Sequence, residues 1–155
     1  MRRIITITLA VVLCLCLAAT AFAEGATEDE VIAKVKEAAA MIINEGQDAA
    51  FKESNNKEGK FVWKDTYVFV MDLDGTLLAR PFRQGGIGQN ILDWKDRSDS
   101  PRYPMKEMVN LAKEKGEGWV EYIWPKPGEE APSKKISYIY RVPGKNLFVG
   151  AGIYE

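Results

Sequence analysis

The chain contains no histidine, and that absence removes several kinds of chemistry at once. A Ser-His-Asp or Cys-His nucleophile system cannot be built, nor a metal site that depends on imidazole. General acid or base work would fall to carboxylates, lysine or tyrosine. Cysteine is nearly absent too: Cys14 and Cys16 both lie in the N-terminal apolar stretch, so nothing from Glu24 onward can form a disulfide. A domain without disulfides has to stand on its apolar core, which is feasible above ~100 residues. An excess of positive charge is missing as well. The formal net charge is −1, or −3 once Arg2 and Arg3 are removed. With no basic stripe, the composition argues against a nucleic-acid partner. There is no internal repeat, no low-complexity tract, and no basic amphipathic stretch after residue 23 that would read as a membrane-surface helix.

The first residues, MRRIITITLAVVLCLCLAATAFAE, carry a positive start at Arg2 and Arg3, an apolar run from Ile4 to Ala19, and Ala21-Phe22-Ala23 as a small-residue cleavage signal. This is the pattern of a secretory signal peptide. Its apolar run falls short of the ~20 residues that a spanning helix needs. Leu13 and Leu15 precede the two cysteines where a lipoprotein signal wants a small residue. The expectation is cleavage after Ala23, a periplasmic or otherwise extracytoplasmic location, and one domain over residues 24–155.

In that domain Thr27-Glu28-Asp29-Glu30 reads as a capping box. Val31, Val35, Ala38, Ile42 and Ala49 recur at helical spacing, predicting a helix from Glu28 to Lys52 with Gly46 as an interior weak point. Phe61-Val62-Trp63 and Tyr67 to Met71 are strand-like, and Thr76 to Ala79 is a return strand that Pro81 stops. A long loop rich in Gly, Pro, Asp and Ser follows, and a loop of that length in a compact domain is usually functional. Met105, Met108, Val109 and Ala112 predict a short helix. Three strands close the chain: Trp119 to Trp124, Ile136 to Val142 and Leu147 to Tyr154. Runs of strands rather than alternating βαβ units predict an α+β class with an antiparallel sheet.

The stretch FVMDLDGTLLAR, residues 69–80, places an apolar strand before Asp-x-Asp-Gly-Thr. A Mg²⁺-dependent haloacid-dehalogenase-type phosphatase begins in this way, with Asp72 as nucleophile. Such an enzyme also needs a late acidic pair after an apolar strand, and a doubly wound parallel sheet. The remaining residues offer neither. A calcium loop fails as well, because its first and last ligand positions would fall on Val70 and Pro81. The remaining reading is a hairpin turn in which Asp72 and Asp74 bond backbone N–H groups and Gly75 takes a positive φ.

Taken together, FVWKDTYVFVMDLDGTLLAR, GIGQNILDWKD, YPMKEMVNLAKEKGEGWVEYIWPKP and KKISYIYRVPGKNLFVGAGIYE resemble the single Cache domains (sCache_2 type) of bacterial extracytoplasmic sensors. The particular resemblance is to the short stand-alone kind that follows a signal peptide. It implies a PAS-like fold: a long N-terminal helix packed on an antiparallel sheet, with a ligand pocket over the sheet's other face. Such domains bind small molecules, often short carboxylic acids or amino acids, and their output is signalling rather than turnover. The expected function is therefore reversible capture of a small carboxylate or similar metabolite, with occupancy relayed to a membrane receptor or transporter. No catalysis, cofactor or metal is expected. A structural or interaction module without a ligand is the alternative.

The resemblance also directs attention to particular residues. Members of the family commonly carry a histidine where this chain has Arg80, and a guanidinium there favours an anionic ligand. Lys135 stands where the family usually has a lysine. Tyr122 and Trp124 share one face of a strand, as do Tyr138 and Tyr140. Either one member of each pair donates to a carboxylate, with Tyr122, Trp124 and Tyr138 as candidates, or all four pack as core under the helix. Tyr103, in the long loop, is a candidate to close over the pocket.

Overall fold

The computed structural model describes residues 24–155, so the expected signal peptide lies outside the described residues. Helix α1 spans Glu28–Asn44 and begins at the capping box: the Glu30 N–H donates to Thr27 Oγ1 at 3.3 Å, and the Thr27 N–H donates to Glu30 Oε2 at 3.0 Å. Three acidic residues in its first turn suit the positive end of the helix dipole. The helix expected as one element is two. At Gly46 the backbone takes φ +95°, which breaks the ladder of i→i−4 bonds, and α2 restarts over Gln47–Ser54.

A two-stranded ribbon, β1 (Val62–Trp63) and β2 (Thr66–Tyr67), leads into β3 (Phe69–Asp72) and β4 (Leu77–Ala79). The turn between β3 and β4 is structural: Asp72 Oδ1 accepts from the N–H groups of Asp74 and Thr76, at 3.0 and 2.7 Å, and Gly75 takes φ +94°. After a single 3₁₀ turn at Gln84–Gly86 and the rest of the long loop come α3 (Pro104–Glu114), β5 (Glu117–Pro125), β6 (Pro132–Arg141) and β7 (Leu147–Tyr154). The last five strands form one antiparallel sheet in the order β4-β3-β7-β6-β5. The class is α+β, with the N-terminal helices packed on that sheet.

Alternation along the strands sends side chains to two different cores. On one face Val70, Tyr138, Val149 and Ala151 meet Val31, Val35, Ala38 and Ile42 of α1. On the other, Phe69, Met71, Tyr122, Ile139 and Phe148 meet Met105, Met108, Val109 and Ala112 of α3. Burying each large aliphatic side chain in either core contributes about 1.5–3 kcal/mol. Among the described residues no helix is long and apolar enough to cross a membrane.

Candidate ligand-binding site

The second face carries the site, and the strand register assembles it. Tyr122 on β5, Lys135 on β6 and Tyr154 on β7 stand side by side, since Tyr122 pairs with Lys135 and Lys135 with Tyr154. Lys135 is 1 % exposed. Its stem lies across β7 because residue 152 is glycine: a Cβ there would stand 2.8 Å from Lys135 Cε. The ammonium reaches a gap between two aromatic rings, 4.5 Å from the centroid of Tyr67 and 4.7 Å from that of Tyr154. No carboxylate of the described residues comes within ion-pair distance of it. Burial pushes its pKa down to about 7; the Asp65 carboxylate pulls the other way and the Arg80 charge adds to the depression.

Arg80 closes the far side. It follows the last residue of β4 and is 6 % exposed. Its backbone N–H donates to Asn55 Oδ1 at 2.9 Å, which ties the strand end to α2. Its guanidinium donates to the Arg83 carbonyl, from Nε at 2.9 Å and also from Nη2, and lies 5.5 Å from the Trp94 ring centroid. Arg83 adopts the left-handed conformation, φ 53° and ψ 46°, an unusual state for a residue with a side chain. Gly86 leaves room for the stack: a Cβ there would be 2.9 Å from both Arg80 Nη2 and Trp94 Cη2. Burial lowers the arginine's pKa, opposed by Tyr67 and reinforced by Arg83, but from a value so high that the group stays charged. It too meets no carboxylate among the described residues.

Between these two cations is a chamber of about 20 Å³, walled by Tyr67, Phe69, Met105, Tyr122 and Trp124. That is room for about one water. Two of the neighbouring phenols are committed elsewhere. The Tyr122 hydroxyl is hydrogen-bonded to Ser137 Oγ at 3.0 Å, and the Tyr154 O–H donates to the Pro125 carbonyl at 3.1 Å. Burial drives the pKa of Tyr67, Tyr122 and Tyr154 upward, so all three stay neutral. The chamber thus combines a guanidinium that stays charged, an amine that titrates near neutrality and aromatic walls, an arrangement complementary to a small anion.

The long loop that roofs this face is fixed by Asp96. Its buried carboxylate accepts from the N–H groups of Arg102, Ser98 and Ile123 and from the Ser98 hydroxyl. Burial alone would raise its pKa; those donors outweigh it and hold the acid below its ordinary value. The bond to Ile123 joins the loop to β5 directly, next to Trp124.

Arg80, Tyr122, Trp124 and Lys135 thus come together around one chamber. Two other residues expected in the pocket stand elsewhere. Tyr138 faces α1: its ring packs against Trp119 at 5.3 Å and its hydroxyl donates to the Glu117 carboxylate. Tyr103 precedes α3, with the Lys106 ammonium 4.4 Å from its ring centroid, and does not line the chamber. Sequence reasoning missed Tyr67, Tyr154 and Gly152. Tyr67 shares its parity with Phe69 and Met71, and Tyr154 with Gly150 and Gly152, so the period of two places each aromatic with its face but does not say which face is the pocket.

Comparison with known proteins agrees with this geometry. The profile of the Cache domain family dCache_2 matches residues 57–155. The methyl-accepting chemotaxis protein McpP of Pseudomonas putida is 31% identical over 90 residues, covering 58% of this chain. The aligned region is only 16% of that receptor. Among solved structures, a Cache chemosensory domain described for its recognition of carboxylic acids has 28% identity and a TM-score of 0.71, over 81% of this chain and 91% of that one. A periplasmic sensor domain of a chemotaxis protein has 25% identity and a TM-score of 0.62, over 79% and 86%. The matching profile is dCache_2, whereas the resemblance seen in the sequence was to the single-Cache subtype; both lie within one family of periplasmic or extracellular sensor domains. A buried cationic chamber on an antiparallel sheet, a profile match over most of the chain and these structural neighbours have one reading: the chain belongs to the Cache domain family, as a ligand-binding sensor module rather than a catalyst.

Proposed function

We propose that this protein is an exported sensor domain of the single-Cache kind, which captures a small carboxylate between Arg80 and Lys135. In this reading it relays occupancy to a membrane receptor or transporter. The observation that carries the proposal is the pair of buried cations. A buried charge without a counter-ion is costly, and here two of the same sign border one aromatic chamber with no carboxylate to neutralise either. A bound carboxylate would accept from both. The neighbour that recognises carboxylic acids supports the same ligand class. Met105 and Trp124 are the walls best suited to yield, one a flexible thioether and the other only half-buried.

Thermal unfolding against acetate, propionate, pyruvate, lactate, dicarboxylates and amino acids tests this. A ligand at ~100 times its Kd adds about 2.7 kcal/mol, a shift of several degrees for a domain of this size. The expected result is a shift with short carboxylates that disappears in Lys135→Met and Arg80→Ala. The size of the chamber, about 20 Å³, favours a second reading, a filled core that serves only as an interaction module. No shift across the whole panel would select it.

A further inference from the structure

Arg80 and Trp124 each line two spaces. Inward is the small chamber; outward is an open cleft of about 750 Å³ between the long loop and the beginning of the β5–β6 connection. The outer cleft is the more cationic of the two, with Arg83, Lys95 and Arg97 around its mouth in addition to Arg80. Among the described residues none of these four side chains has a carboxylate within ion-pair distance. Elsewhere on the surface Lys34, Lys36, Lys60, Lys64, Lys134 and Arg102 pair with acids, and the other described cations that have no such partner do not line the cleft. The acidic residue that does line the cleft, Asp93, is already taken by Lys106 at 2.6 Å.

The arginines are also aimed. Arg83 Nη2 donates to the Glu129 carbonyl at 3.2 Å, and Arg97 Nη1 donates to the Glu130 carbonyl at 2.9 Å. Each bond uses the glutamate's backbone rather than its carboxylate, and leaves most of the guanidinium's donors uncommitted. The floor between them is aromatic: the Trp94 and Trp124 rings stack at 6.5 Å with 14° between their planes. Like charges gathered in a concave site repel one another and concentrate the field on whatever anion enters. A single carboxylate would satisfy one fork and leave the others. Two or three carboxylates on a short carbon frame would meet several together, with the frame lying on the indoles. The cleft's volume is in the range of ordinary small-molecule sites.

We propose that this cleft is a second ligand site, for a small organic anion bearing two or three carboxylates, separate from the buried chamber and sharing Arg80 as a common wall. The proposal stands whether or not the chamber binds a monocarboxylate, because it rests on Arg83, Lys95 and Arg97, which the chamber does not use.

The test is calorimetric titration of the full chain with citrate and tricarballylate, with pyrophosphate and propionate as comparisons and tryptophan fluorescence as a parallel readout. Citrate should bind with a stoichiometry of one and perturb the indole emission. Arg83→Ala with Arg97→Ala should weaken it at least tenfold, and Lys95→Ala, an exposed change with no hydrogen bond to lose, at least threefold. Lys135→Met should leave citrate binding within twofold, and saturating propionate should not displace citrate. Pyrophosphate binding more tightly than citrate would overturn the carboxylate class in favour of a phosphate. Loss of citrate binding in Lys135→Met together with one-for-one competition by propionate would reduce the cleft to the entrance of a single site. No binding of any polyvalent probe would leave it a solvated surface and end the proposal.

Discussion

The two faces of the sheet are built from the same strands and follow different rules. Toward α1 the packing is close and aliphatic at its centre, with aromatics such as Tyr138 and Trp119 beside it: Val35, Ala38, Ile42, Val70, Val149 and Ala151 are almost wholly excluded from solvent. Toward α3 and the long loop the sheet presents aromatics, methionines, two glycines on β7, and buried Lys135 and Ser137. One face contributes stability through burial; the other gives some of that up by burying Lys135 and Arg80 beside a small chamber. A single residue step along β7 separates them, Val149 on one side and Gly150 on the other, so the second face can vary without disturbing the helix-packed core.

The strongest way to break this comparison is to cut into each face and measure both properties. Ile42→Ala, on the α1 face, removes a side chain that is 1 % exposed. It should cost about 2–5 kcal/mol in denaturant unfolding, while ligand affinity of the folded fraction stays as it was. An altered affinity would mean the faces are coupled. Lys135→Met on the opposite face should do the reverse. Carboxylate binding falls at least tenfold while the melting temperature holds or rises, because the uncompensated buried charge is gone. A large loss of stability in that variant would show that the ammonium is a structural group.

pH separates the faces without mutation. Lys135 has its pKa lowered from 10.5 to about 7. Between those values the unfolded chain holds the proton that the folded chain has released, so unliganded stability should rise with pH from about 7 towards 10.5. Carboxylate binding requires the protonated amine, so affinity should decline over the same interval, and Lys135→Met should flatten both curves. Melting temperature and calorimetric Kd read against pH check the two directions. The smallest effect is expected at Asp72→Asn. Asparagine keeps the oxygen that accepts from the Asp74 and Thr76 N–H groups, so stability should change by no more than about 0.5 kcal/mol. The unmodified protein should hydrolyse no phosphate ester; activity lost in the asparagine variant would restore the phosphatase reading.

The order and class of elements were legible because each rested on a local signal. The capping box set the start of α1, the three-four spacing its apolar stripe, and glycine and proline the strand ends. The break at Gly46 was visible as a weak point, yet a helix continuing past it and a helix restarting after it have the same apolar spacing; only the positive φ decides. The family resemblance singled out Arg80 and Lys135, and both border the one chamber. Between the two readings of Tyr138, pocket or core under the helix, the rule that decides was available: it lies three residues from Lys135 on β6, and a period of two puts such residues on opposite faces. Tyr67 and Tyr154 were beyond reach for another reason. Their partner is the Lys135 ammonium, 68 and 19 positions away, and nothing local marks an aromatic that packs on a charge rather than on other apolar groups.

Strand β7 has a further consequence. The β3–β4 pair and the β5–β6 pair each join neighbours in sequence, but β7 lies between them, bonded to β3 on one side and to β6 on the other. Its pairing with β3 brings Phe69 to Gly150, and the Thr66 hydroxyl reaches the Gly152 carbonyl. Each half can begin to form by itself, while joining them carries the entropy of closing a loop of about 80 residues. Lys135 and Tyr154 already face each other within the β6–β7 hairpin, and the Tyr67 ring comes against the ammonium in that joining step. The folding transition and the appearance of the binding chamber should therefore coincide, so that a partly folded chain has helices and hairpins but nowhere for a ligand to act.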